Sequence, residues 1–142
     1  MIKQISVFVE NRKGKIMEML KTLADAKINI KAFSLADASD YGIARMVVDS
    51  PEKAKKVLND DGVVMSINDV VAIGVPDEPG ALMKTFSILC DNDIEVEYMY
   101  AFAEKYNDLS VIALRVDKQE LAFDMLKSNG IYVMSPEEVD EM

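Results

Sequence analysis

Two short turns in the sequence carry residue types that suit the binding of a small charged group. One is PDEPGAL, Pro76 to Leu82, and the other is ENRKGKI, Glu10 to Ile16. Their glycines, Gly14 and Gly80, are 66 positions apart, and each turn separates an alternating apolar run from a helix-like run. Glycine allows a positive φ, and a helix start presents free N–H groups and a positive dipole end. The backbone of such a turn therefore suits an anion such as a carboxylate.

The cationic side chains of the first turn sharpen this prediction. Arg12, Lys13 and Lys15 stand at a helix start, where each cation is unfavourable by about 0.3–1 kcal/mol. Because these cations weaken the helix, we interpret them as serving an anion, and we favour this turn as the place that binds the carboxylate of a ligand. The alternative is that these side chains are solvated surface and that Gly14 merely makes the turn.

The second turn has the opposite charge. Asp77 and Glu78 suit the helix dipole but repel a carboxylate, so they are predicted to hold an α-amine. Asn11 and Asp77 can each hold an ammonium group or cap the helix that follows. In the capping alternative, Gly80 makes the turn and no ligand is involved.

The elements that must position these turns occur twice along the chain. At an offset of 66, Val7–Val9 aligns with Ile73–Val75, and at an offset of 68, Val48-Asp49 aligns with Val116-Asp117. The stretches VVMS, Val63–Ser66, and YVMS, Tyr132–Ser135, near the ends of the two units align at an offset of 69. A repeat through almost the whole chain indicates a duplicated unit.

Each unit reads as strand, helix, strand, strand, helix, strand. Alternating apolar runs predict the strands, and apolar residues that recur at positions i, i+4, i+7 and i+8 predict the helices. Second strands are predicted to start at Ile28 and Ile94, and hairpin turns at Asp37–Gly42 and Ala103–Asp108. The fold class is α+β, with two ferredoxin-like βαββαβ units in tandem and helices on one face of each antiparallel sheet. The domains are residues 1–68 and 69–142, with a disordered acidic tail from about residue 136.

Helical spacing also predicts a buried helix face in each unit. The predicted faces are Ile16, Leu20, Leu23 and Ala24 in the first unit and Leu82, Phe86, Leu89 and Cys90 in the second. The opposite, helix-free face of each sheet is predicted to be apolar, with Phe8, Phe33, Ile43 and Val47 in the first unit and Met99, Val111 and Ala113 in the second. Because so apolar a face is rarely left in water, we expect two chains to pair as a homodimer. Residual exposure is the alternative.

Composition narrows the classes of function. The net charge of −9 argues against binding nucleic acid or anionic lipid. The chain has no His and one cysteine, Cys90, so it lacks the commonest general base and a thiolate metal site, and we expect neither an enzyme nor a metal or cofactor. No apolar run approaches the roughly 18 residues of a membrane span, and the N-terminus does not read as a signal peptide, so a cytoplasmic location is expected.

The turns and their repeat resemble a known family. Val75 to Leu82 is similar to the strand-turn-helix signature of ACT domains, small regulatory modules that bind amino acids, and Glu10 to Ile16 resembles the same turn in the serine-sensing domain of phosphoglycerate dehydrogenase. Lys13, where the second turn has Pro79, departs from the usual Pro-Gly. The resemblance covers essentially the whole chain as two copies.

In ACT pairs, the resemblance implies, a ligand lies between the first turn of one unit and the start of the second strand of another. The residues implied in the turns are Asn11, Arg12, Lys13, Gly14, Lys15 and Ile16, and Asp77, Glu78, Pro79, Gly80, Ala81 and Leu82. The residues implied in the strand walls are Asn29, Ile30, Glu95 and Val96.

These observations predict a stand-alone regulatory protein that binds a free amino acid and signals its occupancy to a partner enzyme or regulator. Which amino acid is not readable from the sequence. The alternative is an interaction module that oligomerises or docks on an enzyme without a small ligand. An acylphosphatase-like enzyme fits Arg12 and Asn29 superficially, but the second unit has Glu78 and Glu95 at those places. The aromatic sheet of an RNA-recognition module and the cysteine pair of a metal carrier are both lacking.

Overall fold

The chain forms two compact units of similar construction. In the computed structural model, which describes residues 1–38 and 40–142, the first unit is Lys3–Asn68 and the second is Met1–Ile2 with Asp69–Met142. The elements are β1 (Ile2–Glu10), α1 (Lys15–Asp25), β2 (Ile30–Ala38), β3 (Tyr41–Val48), α2 (Pro51–Asp60), β4 (Met65–Pro76), α3 (Ala81–Asp91), β5 (Val96–Ala101), β6 (Leu109–Val116), α4 (Gln119–Ser128), β7 (Tyr132–Val133) and α5 (Pro136–Asp140).

The first unit is an antiparallel sheet with two helices. β1 pairs with β3 from Ile5 opposite Met46 to Glu10 opposite Tyr41, and β2 pairs with the other edge of β3. The amide of Phe8 donates to the carbonyl of Val64 at 3.0 Å, which places the approach to β4 beside β1. The resulting strand order is β2-β3-β1-β4.

The second unit repeats this order with the end of β4 as its first strand. β4 pairs with β6 and β7, and β5 pairs with β6, all antiparallel. The order is therefore β5-β6-β4-β7. The predicted α+β class, with two ferredoxin-like βαββαβ units, is confirmed.

Each unit has its own hydrophobic core between its sheet and its helices. In the first unit the core comprises Ile5, Val7, Val9, Met19, Leu23, Ile28, Ala44, Met46, Val48, Ala54 and Leu58. In the second it comprises Val71, Ile73, Val75, Leu89, Ile94, Ile112, Leu114, Val116, Ala122 and Leu126. Burial of these side chains from both sheet and helices explains why the apolar spacing of the sequence was informative.

Element boundaries differ slightly from those predicted. β2 and β5 begin at Ile30 and Val96, two residues later than expected. The first predicted hairpin turn is too wide, because Asp37 pairs with Gly42. Ser39, within that turn, lies outside the described residues.

The repeat keeps an offset of 68 into the last strand, so the predicted shift to 69 is wrong. The amide of Val63 donates to the Leu58 carbonyl, and the amide of Ile131 donates to the Leu126 carbonyl, both at 3.0 Å. These equivalent hydrogen bonds align Val63 with Ile131. The structural counterpart of Val64 is therefore Tyr132.

Two residues predicted on the helix-free face lie on the other face. Phe33 stands opposite Met46, and Met99 stands opposite Leu114, and both partners belong to the cores. Directly opposed residues share a face of an antiparallel sheet. The cause is a register shift after Ile30 and after Val96, because a one-residue shift moves every later side chain to the opposite face.

The rest of the helix-free face is more buried than its composition suggested. Val47, Val111 and Ala113 are 2%, 1% and 1% exposed in the single chain. Phe8 is 43% exposed, and its ring packs against that of Tyr41 at a centroid distance of 5.8 Å. The argument for a homodimer therefore rests on a smaller apolar surface than expected.

The predicted buried position of Cys90 is wrong. The buried residues of α3 are Thr85 and Leu89, and Cys90 is exposed. Leu82 of α3, at 39%, and Ala24 of α1 were also predicted on the buried helix faces and are also exposed. Cys90 lies one residue beyond Leu89, about 100° further around the helix, and so points away from the core.

The acidic C-terminal segment is also ordered, which contradicts the predicted disorder. α5 begins with a capping box in which the Glu138 amide donates to Ser135 Oγ at 3.2 Å and the Ser135 amide donates to Glu138 Oε1 at 3.0 Å. Val139 is buried at 4% exposure. The cap and this apolar anchor fix the segment despite its charge.

Candidate functional site

The first turn links the end of β1 to the start of α1 through a tight backbone loop. The amide of Arg12 donates to the Glu10 carbonyl at 2.8 Å, and the amide of Lys15 donates to the Arg12 carbonyl at 3.2 Å. Gly14 precedes the helix with φ of 89° and ψ of −11°. The predicted positive φ is confirmed, and it explains why glycine stands here.

The second turn has the same backbone. The amide of Glu78 donates to the Pro76 carbonyl at 3.0 Å, the amide of Ala81 donates to the Glu78 carbonyl at 3.3 Å, and Gly80 has φ of 88°. A Cβ added to Gly14 or Gly80 would meet no atom within 4 Å. The glycines are therefore required by conformation rather than by crowding, and the space beside each turn is open.

Neither Asn11 nor Asp77 caps a helix, so the capping role predicted for these two side chains is wrong. Neither helix start receives a side-chain capping hydrogen bond. Asn11 Nδ2 instead donates to Asp37 Oδ1 at 3.3 Å. Asp77 Oδ2 accepts a hydrogen bond from Lys105 Nζ at 2.8 Å, and this contact lowers the pKa of Asp77 and raises the pKa of Lys105.

Most cations of the first turn already have anionic neighbours. Arg12 Nε is 2.7 Å from Glu10 Oε2, and Lys15 Nζ is 3.2 Å from Glu18 Oε2. Lys13 forms no ion pair with any residue that the structure describes. Lys13 is thus the cation of this turn that can meet an anion without first losing a partner.

The predicted strand-wall residues lie far from the turn of their own unit. Glu10 stands opposite Tyr41 at one end of β3, whereas Ile30 stands opposite Val48 at its other end. At about 3.3 Å per residue, the eight-residue strand β3 separates them by roughly 23 Å. One unit therefore does not bring its turn and its wall together.

Each strand wall is held by an aspartate that sequence reasoning missed. The Asn29 amide donates to Asp49 Oδ1 at 3.2 Å, and the Glu95 amide donates to Asp117 Oδ1 at 3.0 Å. The signal was present, because these two aspartates align in the repeat. Glu95 also borders a cavity of about 450 Å³ in the second unit, together with Cys90, Asp93, Ile94, Asp117 and Lys118.

A second cavity, of about 370 Å³, opens beside the first turn and lies within the first unit. We call it the turn cavity. Its apolar lining is Phe8, Val9, Met19, Tyr41, Val63 and Val64, and Gly62 with the charged Glu10, Lys15, Glu18 and Asp61 completes it. Among these, Lys15 was predicted as a site residue. The others come from strands, a helix and a loop that fold together from distant parts of the sequence.

Asp61 is fixed within this lining by a neighbouring helix. Thr22 Oγ1 donates to Asp61 Oδ2 at 2.5 Å and also contacts the Glu18 carbonyl at 3.1 Å. The arrangement can hold an apolar group against the two aromatic rings and offers one ammonium and several carboxylates at its rim.

Comparison with known proteins places the chain in a family. All 142 residues match the family described as an ACT domain pair. The chain belongs to that family. The resemblance predicted from the two turns is thereby confirmed, and membership of the ACT domain pair family supports a regulatory ligand-binding role in general terms.

Solved structures resemble this ACT domain pair along most of its length. Protein BT0572 from Bacteroides thetaiotaomicron is 33% identical, with a TM-score of 0.91 over 99% of this chain and 96% of that one. The ligand-free regulatory subunit of aspartate kinase from Thermus thermophilus is 15% identical, with a TM-score of 0.62, and that from Thermus flavus is 16% identical, with a TM-score of 0.60. Both alignments cover 89% of this chain and 90% of the other, and they show a shared fold. No curated protein sequence matches the chain.

The part of the chain that the structure describes holds neither a metal-binding cluster nor a membrane-spanning helix. Among residues 1–38 and 40–142, no group of three or more Cys, Asp or Glu side chains is arranged to hold a metal ion. Within the same ranges, no helix is long and apolar enough to cross a membrane.

Proposed function

We propose that this ACT domain pair is a regulatory amino-acid-binding protein that holds its ligand between ACT units and signals occupancy to a partner enzyme or regulator. The observation that carries the proposal is the turn that occurs twice with one backbone. Gly14 and Gly80 both have positive φ and open space beside them, and both precede a helix start. A turn of this kind exposes N–H groups and a positive dipole end to a ligand carboxylate.

The separation of turn and wall favours a ligand shared by two units. The turn residues Asn11 to Ile16 and the wall residues Asn29 and Ile30 lie at opposite ends of one sheet. The same separation holds for Asp77 to Leu82 and for Glu95 and Val96, by the repeat. A ligand that touches a turn and a wall must therefore draw them from different units, whether of one chain or of two.

The charges suggest how such a ligand is oriented. Lys13, which has no ion-pair partner among the described residues, and Lys15 are proposed to meet the carboxylate. Glu78 is proposed to meet the α-amine, with Asp77 able to contribute once it releases Lys105. The lysines supply charge where the helix start supplies N–H groups.

Signalling would follow from linkage. A ligand that bridges two units stabilises one arrangement relative to another, and it shifts a partner equilibrium only by its differential affinity for the two. We propose a homodimer for this role and no catalytic activity; the chain lacks His, the commonest general base.

An interaction module without a small ligand is the second candidate. It is favoured by two apolar side chains of β2 that are left exposed on one face of the first sheet, Leu35 at 52% and Phe33 at 37%. Apolar side chains exposed together mark surfaces that meet another protein. Ligand titration separates the two candidates.

The test is a thermal-shift screen of the purified chain against the twenty amino acids, followed by titration of any hit. A ligand at 100 times its Kd adds about 2.7 kcal/mol, which corresponds to roughly 8–14 °C at this size. A hit that Gly14→Val or Gly80→Val abolishes supports the sensor, provided that circular dichroism shows the variants folded. Twenty flat curves at millimolar concentration would favour the interaction module.

A further inference from the structure

The residues that line the turn cavity in the first unit differ from the residues at the equivalent positions of the second unit. The strand registers and helix starts give the equivalent positions directly, since Glu10 and Pro76 occupy the same place in their sheets opposite Tyr41 and Leu109. Most cavity residues are replaced by residues of different size or charge, and four of the replacements bear directly on ligand binding. Phe8, Lys15, Glu18 and Val64 of the first unit correspond to Gly74, Ala81, Lys84 and Tyr132 of the second.

In the second unit the place of the aromatic wall is filled. A Cβ on Gly74 would lie 2.9 Å from Leu109 Cδ1 and 3.5 Å from Tyr132 Cδ1, so a larger side chain there would require Leu109 to move. Tyr132 is held by a hydrogen bond from its hydroxyl to Glu138 of α5 and by a ring contact with Tyr106 at 6.4 Å. The C-terminal residues of the chain therefore occupy the space that the first unit leaves open.

The open cavity combines an apolar wall with a charged rim. The rings of Phe8 and Tyr41 and the side chain of Val64 remain 43%, 42% and 67% exposed, so apolar surface faces the opening. Lys15 Nζ reaches the cavity from the helix start and is bound to Glu18 alone among the described carboxylates. The carboxylates on the rim repel an acidic side chain, and burying a charged end of either sign against the apolar wall is costly.

We infer that the turn cavity of the first unit receives the side chain of the bound amino acid, and that this ligand has an apolar or aromatic side chain and binds once per chain. The inference rests on the proposed function and names its ligand class. Lys15 exchanges Glu18 for the ligand carboxylate, while the side chain covers Phe8, Tyr41 and Val64. The second unit does not bind a side chain in this way, because Leu109 and Tyr132 already fill the space.

The test is isothermal titration of the full chain with L-phenylalanine, L-leucine, L-aspartate and L-lysine. The expected result is one molecule of an apolar amino acid per chain, bound at least about tenfold more tightly than L-aspartate or L-lysine. That ratio corresponds to about 1.4 kcal/mol.

Two variants place the binding site. Val64→Tyr installs the residue that stands at the equivalent position of the second unit, where the fold accommodates it, and should weaken binding of the apolar amino acid by at least about tenfold. Lys15→Ala installs the equivalent Ala81 residue and should weaken all amino acids alike, because it removes the carboxylate contact. Leu121→Tyr is the matched control, since Leu121 is 40% exposed in α4 and outside both turns, and it should bind like the unaltered chain.

The possible outcomes distinguish failure of the side-chain site or ligand class from failure of the proposed amino-acid-binding function. Unchanged binding of L-phenylalanine or L-leucine by Val64→Tyr overturns the location. Tighter binding of L-aspartate or L-lysine overturns the ligand class and leaves an amino-acid-binding protein. Absence of heat and of thermal shift with all twenty amino acids removes the proposed function, and the inference fails with it.

Discussion

The two turns of this chain share a backbone and differ in almost every side chain. Gly14 and Gly80 agree within one degree in φ, and the hydrogen bonds that close the turns join equivalent atoms. Yet the first turn carries cations where the second carries acids and Pro79. Backbone conformation is thus the conserved part of the duplication, and the side chains around it have diverged toward different contacts.

The ends of the two sheets differ in a way that matters more for binding. In the first unit, Val64 leaves a cavity beside Phe8 and Tyr41. In the second, Tyr132 and Leu109 close against Gly74. The same scaffold therefore supports an open site and a filled one, and the choice depends on the side chains of a few positions.

The largest expected effect tests whether the hydrophobic cores of the two units are equally well packed. Leu23 and Leu89 are equivalent and are 0% and 1% exposed. Leu23→Ala and Leu89→Ala should each lower the free energy of unfolding by about 2–5 kcal/mol, because each leaves a cavity in its core. Urea unfolding followed by circular dichroism measures this, with the exposed Leu121→Ala as control. A cost below about 1 kcal/mol in either unit would contradict equal packing.

A smaller effect tests whether the glycines serve the backbone alone. Gly14→Ala and Gly80→Ala should each cost about 1–2 kcal/mol of unfolding free energy, since an L-residue is strained at positive φ. The two costs should agree, because neither Cβ would meet a neighbour. Asn tolerates this conformation, so Gly14→Asn and Gly80→Asn should cost less than the alanine variants. Equal costs for Asn and Ala would show that strain is not the cause.

The filled end of the second unit should titrate unusually. The hydrogen bond from Tyr132 to Glu138 raises the pKa of Tyr132 to about 12. Because the folded-state pKa is raised, the stability from this contact is complete below about pH 10 and is lost as pH rises toward about 12. Ultraviolet titration of tyrosinate should show Tyr132 titrating late in the unaltered chain and in the control Glu137→Gln, and earlier in Glu138→Gln. An unchanged titration in Glu138→Gln would contradict the contact.

The smallest effect distinguishes the turns by pH. The Lys105 hydrogen bond lowers the pKa of Asp77, so the stability it contributes is present above the usual value of about 3.9 and is lost as pH falls through the lower folded value. The effect on stability is small because both side chains are exposed. Carboxyl NMR of Asp77 should show its pKa rising in Lys105→Met but not in Lys84→Met. The first turn has the uncharged Asn11 at this place and should show no matching dependence.

Much of the fold could be predicted because its signals are local. Alternation in Val7–Val9 and Ile73–Val75 and the spacing to Leu23 and Leu89 mark strands and helices that bury those residues. The α5 cap was equally legible in Ser135 and Glu138, but the acidic composition of the segment led to the wrong prediction of disorder.

The sheet face on which some side chains lie, and the turn cavity, were harder to predict because they depend on residues distant in the sequence. The register shifts after Ile30 and Val96 moved Phe33 and Met99 to the opposite faces, and a bulge leaves little trace in a single strand's sequence. The turn cavity needs Tyr41, Asp61 and Val64 brought to the end of β1, and of its lining Lys15 alone had been predicted as a site residue.

The sequence by itself determined the duplication, the two glycine turns and the order of elements, since backbone conformation and apolar periodicity are written in neighbouring residues. The tertiary structure alone decided which turn opens on a cavity. The difference arises from contacts between strands. Leu109 and Tyr132 pack beside Gly74 in the second unit, whereas Phe8 lines an open cavity in the first. Contacts between residues far apart in the chain fix the shape of a site. Aligning the two copies of the repeat in sequence does not show those contacts, which appear only in the folded structure.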